Sequence, residues 1–106
     1  MSSTYSNEVI KLFTAKFVLI ESYLDLVKLL SNAKPNWKEI RQIIANANVK
    51  DFEELYRYLF DNSSKFAPGS EGMVAVYINE YSYQANFRID KEINCLALIA
   101  KLIELK

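Results

Sequence analysis

Apolar and polar positions follow the period of an α-helix along most of the chain, most densely over the last seventeen residues, from Asp90 to Lys106. Within this stretch, one apolar stripe at helical spacing predicts a side that faces the core. It consists of Ile93, Leu96, Ala97, Ala100 and Ile103. A second apolar set lies on the other side of the same predicted helix. It consists of Cys95, Leu98, Ile99, Leu102 and Leu105.

A helix that is apolar on nearly all sides is either central to a bundle or exposed as a docking surface. We expect both roles here, because the last helix carries more apolar side chains than one face needs. One side would close the core and the other would contact neighbouring subunits. The candidate subunit interface therefore comprises the second set and one residue of the preceding helix: Tyr83, Cys95, Leu98, Ile99, Leu102 and Leu105.

A long first helix is predicted from Glu8 to about Ser31. Its polar positions step by three, four or seven residues, so they form one solvated stripe; these are Lys11, Thr14, Glu21, Asp25 and Lys28. The apolar positions form a wide flank, made by Phe13, Phe17, Ile20, Leu24, Val27 and Leu30. Pro35 ends this helix, because proline removes a backbone donor and disfavours helical geometry in the residue before it.

The starts of three further helices carry residues that cap helix N-termini. These residues are Asn36, Asp51 and Asp90. Between the second and third of them, another helix is predicted from Ser70 or Glu71 to Asn86. It follows a loop from Asp61 to Glu71 that is rich in serine, proline and glycine. The pattern predicts a single all-α domain over residues 1–106, a five-helix bundle, with residues 1–7 frayed.

Composition narrows the function classes. The 106 residues contain thirteen basic and thirteen acidic side chains, and this balance disfavours a protein that binds nucleic acid mainly by neutralising phosphates. The single cysteine, Cys95, indicates a reducing compartment and a small core residue. The sequence shows no secretory signal and no apolar run long enough to cross a bilayer, so we expect a cytoplasmic protein that does not contact the membrane.

No catalytic constellation is visible in the sequence. There is no histidine, no glycine-rich phosphate loop and no cluster of metal ligands. Glu53 and Glu54 are adjacent, and adjacent residues on a helix point in different directions, so we interpret them as surface or capping residues. We expect no enzymatic activity, no metal and no cofactor.

Four stretches of the chain together resemble a known family. Two of them open helices, Trp37 to Arg41 and Phe52 to Arg57. The other two, Tyr81 to Phe87 and Arg88 to Asn94, form an aromatic-rich helix end, a short turn and an Asp-x-Glu-Ile-Asn helix start. This order resembles the C-terminal collar domain of clamp-loader small subunits of the replication factor C type, phage clamp loaders included. The resemblance covers roughly two thirds of the chain.

The resemblance implies a collar-type five-helix bundle that holds the subunits of a DNA-replication clamp loader in a ring. It implies other clamp-loader subunits as partners, in a homo- or hetero-oligomer at the replication fork. The Walker loops and arginine finger of such subunits have no counterpart here, so the sliding clamp and primer-template DNA would be reached only through an ATPase domain absent from these residues.

A second hypothesis is a small helical regulator that binds nucleic acid. Residues 37–60 contain two short predicted helices joined by a tight connector, as a helix-turn-helix does. Lys50 and Arg57 would then contact phosphates, which is fewer basic contacts than such modules normally offer.

Overall fold

The computed structural model describes residues 7–106, apart from the side chain of Phe13, and shows six α-helices and no strand in this part of the chain. The helices are α1 (Asn7–Leu30), α2 (Trp37–Ala47), α3 (Phe52–Asp61), α4 (Ser63–Phe66), α5 (Glu71–Ala85) and α6 (Lys91–Glu104). The predicted all-α class is confirmed. Of the predicted frayed segment, residues 1–6 lie outside the described residues, and Asn7 is the first residue of α1.

The three predicted capping residues are confirmed. Asn36 accepts a hydrogen bond from the backbone N–H of Glu39 at 3.1 Å. Asp51 and Asp90 do the same for the third residue after each, at 3.2 and 3.1 Å. Each cap accepts a hydrogen bond from a backbone N–H that has no partner inside the helix. The partial or full negative charge of the capping oxygen is also stabilised by the positive end of the helix dipole.

The core lies between the second half of α1 and the inner faces of the other helices. Helices α5 and α6 pack closely on each other, α2 packs mainly on α1, and α3 packs mainly on α5. The fully or almost fully buried apolar residues are Tyr23, Leu26, Val27, Leu30, Ile40, Ile44, Leu55, Tyr56, Leu59, Phe66, Ala67, Val74, Ile78, Cys95, Leu98, Ile99 and Leu102. Each of the six helices contributes at least one side chain to this core, which holds the short helices in place.

The predicted loop from Asp61 to Glu71 contains a helix that the pattern missed. The short helix α4 occupies Ser63–Phe66, and the backbone N–H of Ala67 closes it with a 2.8 Å hydrogen bond to the carbonyl of Ser63. Phe66 is 1% exposed and packs in the core. The expected count of five helices was therefore wrong by one, because a single turn is too short to show a hydrophobic period and only its one aromatic residue indicates burial.

The first helix divides into a packed half and an exposed half. Its second half buries Tyr23, Leu26, Val27 and Leu30. In contrast, none of the described side chains from residue 7 to residue 18 is buried. We call residues 7–22 the arm. Lys16 marks where the arm passes the start of α3, since its Nζ lies 2.7 Å from Oε1 of Glu54.

The flank predicted for α1 is therefore covered only in part. Phe17, Ile20 and Leu24 were expected beside Val27 and Leu30 in the core, but they are 63%, 42% and 44% exposed. At 1.5 Å per residue, a helix of 24 residues is about 36 Å long, whereas the 14 residues of α6 span about 21 Å. Phe17 lies in the part of α1 that has no buried side chain, whereas Leu24 lies between the buried Tyr23 and Leu26 and is exposed because it faces away from the core.

None of the helices in the described part of the chain is long and apolar enough to span a membrane.

Replacement of Phe66 tests the contribution of α4 to the core. Phe66→Ala should lower the free energy of unfolding by about 3–5 kcal/mol, because it removes a fully buried aromatic side chain and leaves a cavity. Phe60→Ala is the matched control, since Phe60 is 40% exposed, and it should cost about 1 kcal/mol. Urea unfolding followed by circular dichroism measures both. Equal losses for the two variants would contradict the role of α4.

Candidate assembly surface

The two apolar sides of α6 face opposite to the prediction. Cys95, Leu98 and Ile99 are fully buried in the single chain, Leu102 is 1% exposed, and Leu105 is partly buried against the core. These five residues therefore close the core instead of forming a docking surface. Of the predicted interface, only Tyr83 lies on the surface, with 66% of its area exposed. The stripe expected in the core includes Ile93, Ala97 and Ala100, which are all exposed.

A buried hydrogen-bonding group fixes this rotation of α6. Asn94 is 4% exposed, and its Nδ2 donates to Oη of Tyr56 at 3.1 Å and to the backbone carbonyl of Tyr81 at 3.0 Å. Turning α6 so that Ile93 faced inward would move this amide away from both partners. A buried polar group without partners costs about 1–3 kcal/mol, so the observed rotation is favoured.

Side-chain size is the sequence signal that favours the observed rotation. The predicted core stripe contains two alanines, Ala97 and Ala100, which bury little area. The opposite side carries two leucines and an isoleucine at Leu98, Ile99 and Leu102, and burial of a large aliphatic side chain contributes about 1.5–3 kcal/mol. The side with more apolar area faces inward.

A pair of double substitutions tests the orientation of α6. Leu98→Glu with Leu102→Glu should unfold the domain, because it places two unpaired carboxylates in the core at several kcal/mol each, against a total stability of about 5–15 kcal/mol. The control, Ile93→Glu with Ala97→Glu, changes the exposed side of the same helix and should leave the fold intact. Circular dichroism and thermal unfolding report both results. A folded Leu98/Leu102 variant would restore the original interface prediction.

Four exposed apolar residues lie close together along the chain where α5 turns into α6. We call Tyr83, Phe87, Ile89 and Ile93 the elbow. Their exposed fractions are 66%, 72%, 105% and 63%. The rings of Tyr83 and Phe87 contact each other with centroids 5.2 Å apart, so the aromatic part of the elbow is ordered by its own packing. Two elbow residues, Ile89 and Ile93, also line a hollow of about 390 Å³. Its other lining residues are Tyr81, Gln84, Arg88, Asp90, Asn94 and Ala97.

The arm and the elbow lie near the same end of the bundle. Lys16 of the arm reaches Glu54 in the first turn of α3. The start of α3 also borders the elbow region, since Glu53, Ser82 and Lys91 line one hollow together. The sequence pattern missed the elbow because Phe87 and Ile89 lie outside any helix. The signal was available, however, in two large apolar residues placed in a turn.

Cys95 and Tyr56 are core residues whose side chains stay protonated near neutral pH. Burial raises the pKa of the Cys95 thiol from 9.0 to about 12, with a smaller contribution from Glu92. Burial likewise raises the pKa of the Tyr56 hydroxyl. A thiol that stays protonated and inaccessible is a poor nucleophile. In the part of the chain that the structure describes, no three of the acidic and cysteine side chains are grouped so as to hold a metal ion.

The buried ionisable groups predict loss of stability at high pH. The pKa of Cys95 is 9.0 in the unfolded chain and about 12 in the fold, and burial, Glu54 and Asp51 raise that of Tyr23 from 10.0 to about 12. The folded state therefore holds protons that the unfolded state releases. The free energy of unfolding should therefore fall between pH 9 and 12. Cys95→Ala should lose the earliest part of that decline in urea titrations; an unchanged pH profile would contradict the assignment.

The helices of the predicted helix-turn-helix pack mainly on other parts of the bundle. Helix α2 lies on α1 and α6, whereas α3 lies on α5, α1 and α4. Of its two proposed phosphate contacts, Arg57 pairs with Asp61 at 3.1 Å and lies over the ring of Phe60, 5.6 Å from its centroid. Lys50 is exposed. These contacts give the nucleic-acid hypothesis no dedicated basic surface, and it stays a prediction.

No family model, no curated protein and no solved structure matches this chain. The similarity to clamp-loader collars therefore stays a prediction from the sequence, and the surfaces described above provide the structural basis for a functional proposal.

Proposed function

We propose that this chain is a non-catalytic assembly domain of the clamp-loader collar type, which holds subunits together in a ring. The observation that carries the proposal is the elbow, where four large apolar side chains in one place are each more than 60% exposed. Single exposed apolar residues are normal on protein surfaces, whereas several large ones clustered at one turn are typical of an interaction site. The proposed interface therefore moves from the inner side of α6 to the elbow.

A ring requires two different surfaces on each subunit, because its contacts run head to tail. The chain offers two exposed apolar surfaces, the elbow and the arm. Each large side chain that becomes fully buried contributes about 1.5–3 kcal/mol, and association costs about 4–15 kcal/mol in lost freedom. The four elbow residues alone are therefore near the threshold of stable association, so a second contact or a tethered domain is needed to hold the ring.

Under this proposal, the chain hydrolyses nothing. Its partners are further subunits of the same ring, and the sliding clamp and primer-template DNA are contacted by an ATPase domain. The apolar character of the elbow fits an apolar helix face on the neighbouring subunit as its partner. The collar would thus supply a fixed platform for the moving parts of the loader.

Changes at the elbow test the proposed function. The wild-type chain should form a multimer of more than two copies at 100 μM, measured by light scattering after size exclusion. Phe87→Ser with Ile93→Ser should reduce that mass, because it removes two of the four apolar side chains of the contact. Circular dichroism should remain unchanged, since neither side chain is buried.

The matched control changes two exposed apolar residues of α5 outside the elbow. Met73→Ser with Val76→Ser removes side chains that are 43% and 53% exposed, and the multimer should persist. A wild-type chain that stays monomeric at 100 μM would contradict the proposal. Equal masses for the elbow variant and the wild type would also contradict it.

A further inference from the structure

The arm, together with Leu24 just after it, carries an apolar stripe that its own bundle does not use. Ile10, Phe17, Ile20 and Leu24 are 49%, 63%, 42% and 44% exposed. At 100° per residue these four positions fall within an arc of about 80° on the helix surface, so they form one stripe. We call them the arm stripe. Its positions are separated by seven, three and four residues, which is the spacing of a coiled-coil seam.

The arm stripe points away from the core. The core side of α1 is defined by Leu19 and four buried residues, Tyr23, Leu26, Val27 and Leu30, and Leu19 packs against the core. By the same 100° per residue, the centre of the arm stripe lies roughly 120° around the helix from the centre of that side. A partner could therefore lie along the stripe without meeting the bundle.

We propose that the arms of several copies of this chain pack side by side and in parallel, through the arm stripe. In heptad terms, Ile10, Phe17 and Leu24 occupy the a position and Ile20 occupies a d position. This proposal rests on the ring function proposed above and names the element around which the copies assemble. Its partner is the same segment of another copy.

Charge favours the parallel orientation. In this register Lys16 is a g position and Glu21 is the e position five residues later, the pair that meets between neighbouring helices of a parallel coiled coil. Every interface between two arms then contains a Lys16–Glu21 pair of opposite charge. Glu21 forms no ion pair within the part of the chain that the structure describes. Lys16 already contacts Glu54, but its ammonium has three donors and can bind both carboxylates. An antiparallel pair places g beside g and e beside e, so Lys16 would not meet Glu21.

One pair of residues at the seam, Leu24 with Ile20, favours more than two strands. Leucine at a with isoleucine at d shifts parallel coiled coils toward trimers and tetramers, and Leu24 and Ile20 follow this pattern. The four stripe residues bury on the order of 400 Å² per chain, at roughly 100 Å² each, about half of the 800 Å² per partner of a standard interface. The arm therefore needs a second contact, which the elbow provides in the proposed ring.

Oxidation of a single introduced cysteine tests the register. Ile10→Cys places a thiol at an a position, where parallel arms bring identical residues face to face, so air or copper phenanthroline should yield a disulfide-linked dimer on a non-reducing gel. Val18→Cys is the matched control, because Val18 is also 49% exposed on the same arm but lies at an outer position. It should crosslink at least tenfold less. The native Cys95 is buried and does not compete.

Polar substitutions test whether the stripe drives assembly. Phe17→Gln with Leu24→Gln should weaken association at least 100-fold in sedimentation equilibrium, with the helical content unchanged. Leu12→Gln with Val18→Gln removes two equally large exposed residues from the other sides of the arm and should change association less than threefold.

The outcomes separate this inference from the proposed function. Elbow-dependent assembly without crosslinking at position 10, or with a stripe variant that assembles normally, would overturn the arm pairing and leave the ring proposal standing. A stripe-dependent assembly that crosslinks at position 10 and ignores the elbow substitutions would support the arm pairing and contradict the elbow contact. Loss of assembly in the stripe variant without crosslinking at position 10 would overturn the parallel orientation. A wild-type monomer would overturn both proposals.

Discussion

The rotation of α6 about its own axis is the constraint on which the rest of the structure depends. Asn94 sets it, because its amide bonds Tyr56 of α3 and the backbone of α5 in the same buried place. Because hydrophobic burial is not directional, apolar contacts alone would allow a helix that is apolar on nearly all sides to pack in several rotations about its axis. A hydrogen bond in the core is directional, and leaving it unmade is costly. The single polar residue on the inner side therefore selects one packing among several.

That rotation also determines which surface the molecule presents. With Cys95, Leu98, Ile99 and Leu102 turned inward, Ile93 at the start of α6 must face outward. It then lies near the end of α5, where Tyr83 and Phe87 contact each other outside the core. The elbow is thus a consequence of how the core closes. An exposed apolar surface and a folding constraint share one helix, and a substitution at Asn94 would affect both.

The parts of the fold that local chemistry dictates could be predicted from the sequence. The caps at Asn36, Asp51 and Asp90 are confirmed, because a short polar side chain before an amphipathic run has few other roles. The orientation of α6 could not be predicted from periodicity, since both of its sides are apolar and the partners of Asn94 lie 38 and 13 residues away in sequence. Helix α4 could not be predicted, because a single turn is too short to show a hydrophobic period. The elbow was not predicted, because Phe87 and Ile89 were interpreted only as a connection between two helices.

One reason for the exposure of the arm is that α1 is longer than any of the helices that pack on it. The helices that pack on the 24-residue α1 are α2, α3 and α4, with 11, 10 and 4 residues, and none of the described side chains from residue 7 to residue 18 is buried. A helix end that had only to remain in water would carry polar side chains on all its faces. This one has Phe17, Ile20 and Leu24 on one line, and lysines and carboxylates are kept to the flanks. The proposed contact with the same helix of another copy accounts for these exposed apolar side chains and for their seven-residue spacing.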